Sequence, residues 1–518
     1  MKKSTTHHKH KKQHGLISKA SDWDFELLEK YDHAFAAAAE KFGLDIYPNQ
    51  IEIITTEKMM DAYSSTGMPL GYNHWSFGKQ LLTVEQSYKH GNMGLAYELV
   101  INSNPCISYL LEENTMTMQA LVIAHACYGH NSFFKNNYLF KTWTSADSII
   151  DYLVFAKNYV AECEEKHGVE TVEVLIDACH ALMNYGVDRY KHPPKLSLTE
   201  EKLRQHNRSE YIQSQVNEIW RTLPKKSKKT DLAKNTRFPL DPEENILYFL
   251  EKNAPLLEPW EREIIRIVRK MAQYFYPQRQ TKIMNEGWAT FWHYTLVNEI
   301  YDNGLVNDHF MLEFLHAHTN VISQPAFDSP NYTGINPYTL GFSIFSDIRR
   351  ICEQPTAEDC KWFPDIVNTD WMKTLDFAMR NFKDESFISQ FLSPKVMRDL
   401  KLFSVLDDED HIDLSVSYIH NEEGYHKIRE LLAQQYNLSN NEPNIQVHNV
   451  DVRGDRSITL QYIQQEHRPL ETKDAKEVLK HLYKIWKFTA RMEVVSETGD
   501  TSTFYECPEL EKPVTNTI

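Results

Sequence analysis

Residues 281–301 read TKIMNEGWATFWHYTLVNEIY, a spacing that predicts one long helix. Glu286 and His293 are seven positions apart and differ by only about 20° around the helix axis, so they share a face. Trp288, Phe291, Trp292 and Tyr294 surround the pair with apolar bulk. A carboxylate and an imidazole in such surroundings need partners, because an unpaired buried charge is costly. A metal ion satisfies both at once. The other answer is an ion pair, with Arg262, Arg266 or Arg269 of the preceding segment as the partner. Spacing alone leaves both open.

The sequence on either side is helical too. LEPWEREIIRIVRKMAQYFY (257–276) places Ile264, Ile265, Val268 and Met271 on one stripe and is expected to stop at Pro277. Residues 146–166 and 170–185 read as two more helices, closed by Gly168 and Gly186. Nearer the start, Trp23–Leu28 runs into Ala36–Ala39, which suits helix propensity. Residues 225–242 read as an exposed connection, and Pro325, Pro330 and Pro337 mark a long loop. Residues 21–405 are thus expected to form a large, mainly α domain behind a disordered Lys/His-rich tail over 1–20.

The chain changes character near residue 405. Residues 413–420, 444–452, 457–463 and 490–495 alternate like strands, with amphipathic helices over 422–436 and 475–486. The order β-α-β-β-α-β is the ferredoxin-like arrangement, so a small α+β domain is expected over 406–518.

Composition narrows the function classes. The chain has 518 residues, with 56 Lys plus Arg against 72 Asp plus Glu, a net charge of −16. So acidic a chain is a poor candidate for nucleic-acid binding, which needs basic surface. Only 17 glycines argue against an all-β protein or one built on phosphate loops. Seven scattered cysteines without C-x-x-C do not form a disulfide framework, the first residues lack an apolar signal core, and no apolar run is long enough to span a membrane. A cytoplasmic protein is the expectation. Neither G-x-x-x-x-G-K-[ST], G-x-S-x-G nor H-E-x-x-H occurs, so nucleotide-driven and α/β-hydrolase chemistry lack support.

A second candidate site is LVIAHACYGHN (121–131), an apolar run carrying His125 and His130 with Cys127 between them. Helical zinc sites use ligands at i and i+4. A five-residue interval spreads the two imidazoles by about 140° on an ideal helix. Either Gly129 ends or bulges the helix, or the two histidines do different jobs. Weaker candidates are the carboxylate-x-x-His pairs Glu164/His167 and Asp177/His180, the pattern of di-iron bundles, and the pair His316/His318.

Long blocks of this chain resemble the SpoVR family, named for stage V sporulation protein R. They include HACYGHNSFFKNNYLF (125–140), PWEREIIRIVRKMAQYFYPQRQTKIMNEGWATFWHYT (259–295), YTGINPYTLGF (332–342), DIRRICEQPT (347–356) and EPNIQVHNVDVRGDRSITLQY (442–462). The resemblance implies a stress- or sporulation-associated protein, with a family role in forming the spore cortex, a modified peptidoglycan. It also implies two partners, a PrkA-like serine protein kinase and a von Willebrand factor A domain protein. It carries over no catalytic residue.

A more distant likeness is to gluzincin aminopeptidases. There two histidines on one apolar helix and a Glu in an Asn-Glu-Gly-type motif hold zinc. Asn285-Glu286-Gly287 looks like that motif, and His125/His130 stand where the histidine pair would be. The spacing of five and the lack of a Glu after His125 depart from the pattern, so the usual general base is missing. The expected divalent-metal site, zinc for preference, comprises His125, His130, Glu286 and His293. In one version Glu286 binds the metal while His293 supplies the base; in the other the site is catalytically silent. The two functional expectations are a metal-dependent amide hydrolase and a non-enzymatic regulator or scaffold acting with the kinase and its partner.

Overall fold

A computed structural model of the chain describes residues 15–18, 22–64, 71–76, 98–190, 238–326, 329–402, 421–464, 469–496 and 502–508, with 203, 207 and 419 as single positions. The chain divides into two compact units, Met1–Val174 with Gln273–Glu442 and Leu175–Ala272 with Pro443–Ile518. The described residues are mainly helical, as their composition leads one to expect.

In the first unit, α1 (Phe25–Lys41) starts at Asp24, whose carboxylate accepts the Leu27 N–H at 2.7 Å and so satisfies one donor that the first turn leaves unpaired. Its buried residues, Leu28, Tyr31, Phe35, Ala38 and Ala39, follow helical spacing along one stripe. A three-stranded sheet comes next: β1 (Asn49–Ile54), β2 (Glu98–Ile101) and β3 (Cys106–Leu111), in the order β1-β3-β2. β3 runs parallel to β1 and antiparallel to β2. Buried at every position, the central strand carries the near-continuous apolar run CISYLL. This sheet lies within the mainly α domain expected over 21–405 and is not among the expected elements. Its strands are four to six residues long, and short apolar runs do not separate strand from helix by periodicity.

After β3 the chain forms α2 (Met116–Ile123), a π-helical segment (Ala124–His130) and α3 (Asn131–Asn136) without a break. The helix expected over 281–301 is α4 (Lys282–Asp302), which packs chiefly against the π segment and against α6 (Pro337–Glu353). Between them lies α5 (Asp308–Val321). α4 is buried on nearly every side, as a helix apolar all round must be. Two close crossings hold it. A Cβ on Gly287 would fall inside the backbone of Gly341 and Phe342, and one on Gly129 would sit 2.5 Å from Ala289 Cα.

The N-terminus of α4 is capped from a distance. Asp384, the first residue of α7 (Asp384–Phe391), accepts the Ile283 and Met284 N–H groups at 2.9 Å each. Burial pushes this carboxyl up to about 7, although those N–H groups pull it back down. Asp384→Ala should cost about 1–2 kcal/mol, read as a fall in the urea midpoint. The folded value lies above the ordinary 3.8, so folding takes up a proton and this group's contribution to stability falls as pH rises from about 4 to about 7. Asp384→Asn keeps an acceptor and should flatten that slope. An unchanged slope would count against the carboxyl as its source.

The second unit holds a four-stranded sheet, β4 (Ile445–Val450), β5 (Ile458–Ile463), β6 (Ala490–Val495) and β7 (Ser502–Cys507), in sequence order. β4/β5 and β6/β7 are antiparallel, while β5 and β6 run parallel, joined through α9 (Thr472–Trp486). α9 buries Ala475, Leu479, Leu482, Ile485 and Trp486 on one stripe. Three expected strands and the second expected helix are therefore present, but the order among the described residues is β-β-α-β-β, with a single crossover. The expected strand over 413–420 lies outside the described residues apart from 419. The helix expected over 422–436 is α8 (Glu422–Gln435). It buries Ile428, Leu432 and Ala433 in the first unit's core, because an apolar stripe does not declare which core it serves.

The helix expected to stop at Pro277 runs from Pro259 to Gln280, with the proline inside it. Its arginines answer the ion-pair alternative for Glu286. Arg266 and Arg269 bond the buried Glu251 carboxylate, at 3.0 and 3.2 Å, and Arg262 donates to the Glu251 carbonyl.

Candidate metal centre

The five-residue interval between His125 and His130 is accommodated by the π segment. There each hydrogen bond closes one residue further along than in an α-helix, so residues five apart come to one face. The two imidazoles meet edge to face with ring centroids 4.6 Å apart, and both are buried. The packing that favours the bulge is visible. Gly129 lets α4 approach, and Ser132 Oγ donates to the Gly129 carbonyl at 2.9 Å while accepting the Trp288 indole N–H at 2.9 Å.

Two carboxylates face the histidine nitrogens. Glu98 Oε1, from the first residue of β2, lies 3.3 Å from His125 Nε2 and 3.9 Å from His130 Nε2. Glu286 Oε2, from α4, lies 3.7 and 3.6 Å from the same two atoms. The second oxygen of Glu98, Oε2, and the Oε2 of Glu286 are buried with no hydrogen-bond partner. Donors about 2.1 Å from a tetrahedral zinc ion stand about 3.4 Å from one another, so this set fits such an ion. The histidine side chains are 5% and 8% exposed against 17% and 19% for the carboxylates, so the centre opens on its carboxylate side.

The charges are mutually adjusted. Burial pushes Glu98 up to about 7, the Glu286 charge adding to the rise and His125 opposing it. Glu286 is held low: burial works against ionisation, but His130 and His125 outweigh it. Burial would depress His125, yet Glu98 and Glu286 raise it; His130, with weaker support, falls to about 4. Each opposite charge offsets part of the cost of burying its neighbour.

Of the four expected site residues, His125, His130 and Glu286 converge directly. His293 stands one layer back. Its Nδ1 is 2.9 Å from His125 Nδ1, and its Nε2 is 2.8 Å from Nδ1 of His318. His130 is held in the same way, its Nδ1 2.9 Å from Asn285 Oδ1. Tyr338 stacks on His125 at 6.2 Å and hydrogen-bonds Glu286. The Cys127 thiol is pushed well up by burial and lies outside the group able to hold a metal. His316 and His167 are exposed. Among the described residues the group able to hold a metal is Glu98, His125 and His130, which Glu286 joins at the distances given. Sequence reading missed Glu98, which stands at the head of a four-residue strand with no motif around it.

The family model described as SpoVR like protein matches residues 22–441, and the one described as SpoVR-like C-terminal domain matches 443–497. The chain belongs to the SpoVR family. Both carboxylates, His125, His130, His293, His318 and Tyr338 fall within the larger SpoVR match. A SpoVR-family relative from Escherichia coli (strain K12), described as the uncharacterized protein YcgB, is 63% identical over 492 residues, covering 95% of this chain and 96% of that protein. No solved structure matches this SpoVR chain. Among the described residues no helix is long and apolar enough to cross a membrane.

Proposed function

We propose that this SpoVR-family protein is a metal-dependent hydrolase of amide bonds, acting on peptides or peptidoglycan precursors. His125, His130 and Glu286 hold the ion, and Glu98 serves as the base. The observation that carries the reading is the meeting of two imidazole nitrogens with two buried, partner-poor carboxylates. A divalent ion such as Zn²⁺ would lower the pKa of its water to about 7 and polarise a carbonyl. Glu98 Oε1 stands 3.3 and 3.9 Å from the two histidine nitrogens, within reach of a water on an ion held there. It stands in for the glutamate absent after His125. Tyr338 steadies Glu286, and the buried histidines exclude bulk water from the inner side.

Metal analysis of protein lacking residues 1–14 tests the reading, because the tail's own histidines are then gone. One divalent ion per chain is expected, lost in a folded His125→Ala/Glu286→Ala variant. Equal, substoichiometric metal in both proteins would end the metal reading. Glu98→Gln should keep the ion. Loss as complete as in the double variant would make Glu98 a ligand and remove it as the base.

A further inference from the structure

Behind the metal centre, three imidazoles stand in one hydrogen-bonded row. His125 Nδ1 meets His293 Nδ1 at 2.9 Å, and His293 Nε2 meets His318 Nδ1 at 2.8 Å. All three rings are buried, His125 and His318 at 4% exposure and His293 at 0%. They come from three elements: the π segment, α4 and α5. Tyr294, Phe342 and Phe314 pack against His318 with centroids 4.9, 5.1 and 5.9 Å away, and Phe314 also meets His293 edge-on. The outer part of the row is thus walled by aromatic rings.

A neutral imidazole has one N–H and one lone pair, so the direction of one bond in the row sets the next. His125 Nε2 faces Glu98 and Glu286. With an ion there, Nε2 must offer its lone pair, which leaves the proton on Nδ1. With the ion held, His125 Nδ1–H donates to His293 Nδ1, and His293 Nε2–H donates to His318 Nδ1. Without an ion, a neutral His125 that keeps its proton on Nε2 against the carboxylates has a bare Nδ1, and the row runs the other way. What His125 Nε2 meets therefore sets the direction of the row.

We infer that His293 and His318 are positioning residues, which fix the tautomer and ring plane of His125 so that its Nε2 is presented to a divalent cation. His130 has its own shorter device in Asn285. Partners of this kind typically change metal affinity 10- to 100-fold when removed. The inference rests on the proposed metal site, because the ion on His125 Nε2 sets the direction of the row.

Two measurements on the full-length chain test it. In the zinc-loaded protein at neutral pH, long-range ¹⁵N–¹H spectra of labelled histidine should show protonated Nδ1 on His125 and protonated Nε2, with bare Nδ1, on His293 and His318. A protonated Nδ1 on His293 with zinc bound reverses the row and overturns the inference. In the second, zinc retention is measured against a chelator series, with His125→Ala/Glu286→Ala as the baseline for the tail. His293→Asn supplies an acceptor near the Nδ1 position, and His293→Phe supplies only bulk. Positioning predicts that His293→Phe loses affinity 10- to 100-fold while His293→Asn stays within several-fold of wild type. A packing role predicts the opposite ranking, since asparagine leaves a void, and that ranking overturns the inference. If wild type retains no zinc above the baseline, the metal reading fails and the inference falls with it, whereas retained zinc with the packing ranking overturns the inference alone.

Discussion

Replacing Glu251 with alanine should cost about 3 kcal/mol and remove hydrogen-exchange protection from the helices around it, Ile246–Asn253 and the first half of Pro259–Gln280. Glu251 is 1% exposed and receives Arg266 at 3.0 Å, Arg269 at 3.2 Å and Lys252 at 2.8 Å. Removing one partner from a buried ion cluster leaves the others uncompensated, which typically costs about 3–5 kcal/mol. Arg266 and Lys252 are 36% and 47% exposed and regain water readily, which sets the expectation at the lower end. The loss is read from urea unfolding together with exchange. A change below about 1 kcal/mol would mean that the three cations find other partners at little cost.

Gly287→Ala should be of similar size, with a different signature. The added methyl meets Gly341 and the Phe342 N–H, which are main chain and cannot rotate aside. Overpacking of this kind costs about 1–3 kcal/mol and more where backbone must move. The strain is delivered at the crossing of α4 and α6, beside Glu286 and one turn from Tyr338. The variant should therefore melt several degrees lower and also hold zinc less tightly. A variant with wild-type melting and wild-type zinc retention would show that the two helices can part without disturbing the centre.

Sequence reading was strongest where one helix carried the whole message. The face shared by Glu286 and His293 follows from their spacing, and α4 spans almost the expected residues. The five-residue interval between His125 and His130 left open a helix end or a bulge at Gly129, or two histidines with different jobs, and the π segment is the bulge among these. What spacing could not say is which histidine touches the ion and which stands behind it. His293 shares a face with Glu286, but its ring turns toward His125 and His318, a choice made by α5 packing across it. Glu98 was illegible because strand pairing, here Glu98↔Leu110, brings it to the site from a distant part of the chain. The arginines weighed as partners of Glu286 were well chosen in kind, but they pair with Glu251. In the small sheet β4, β5 and β6 announced themselves by alternation, whereas β7 was not expected and the connection order was not legible, since local pattern is silent about neighbours.

The π segment sets two registers within one rod. On its N-terminal side, α2 packs against α1 and α5. On its far side, Asn131 and Asn136 reach the carbonyls of Tyr47 and Asp45. The extra residue in the wide turn offsets these two sets of contacts by about 100° from where a plain α-helix would aim them. The wide turn and the extra residue answer one another: without Ala126 the interval between the histidines would be four, which a plain α-helix carries on one face, and the rod could run straight with both registers kept.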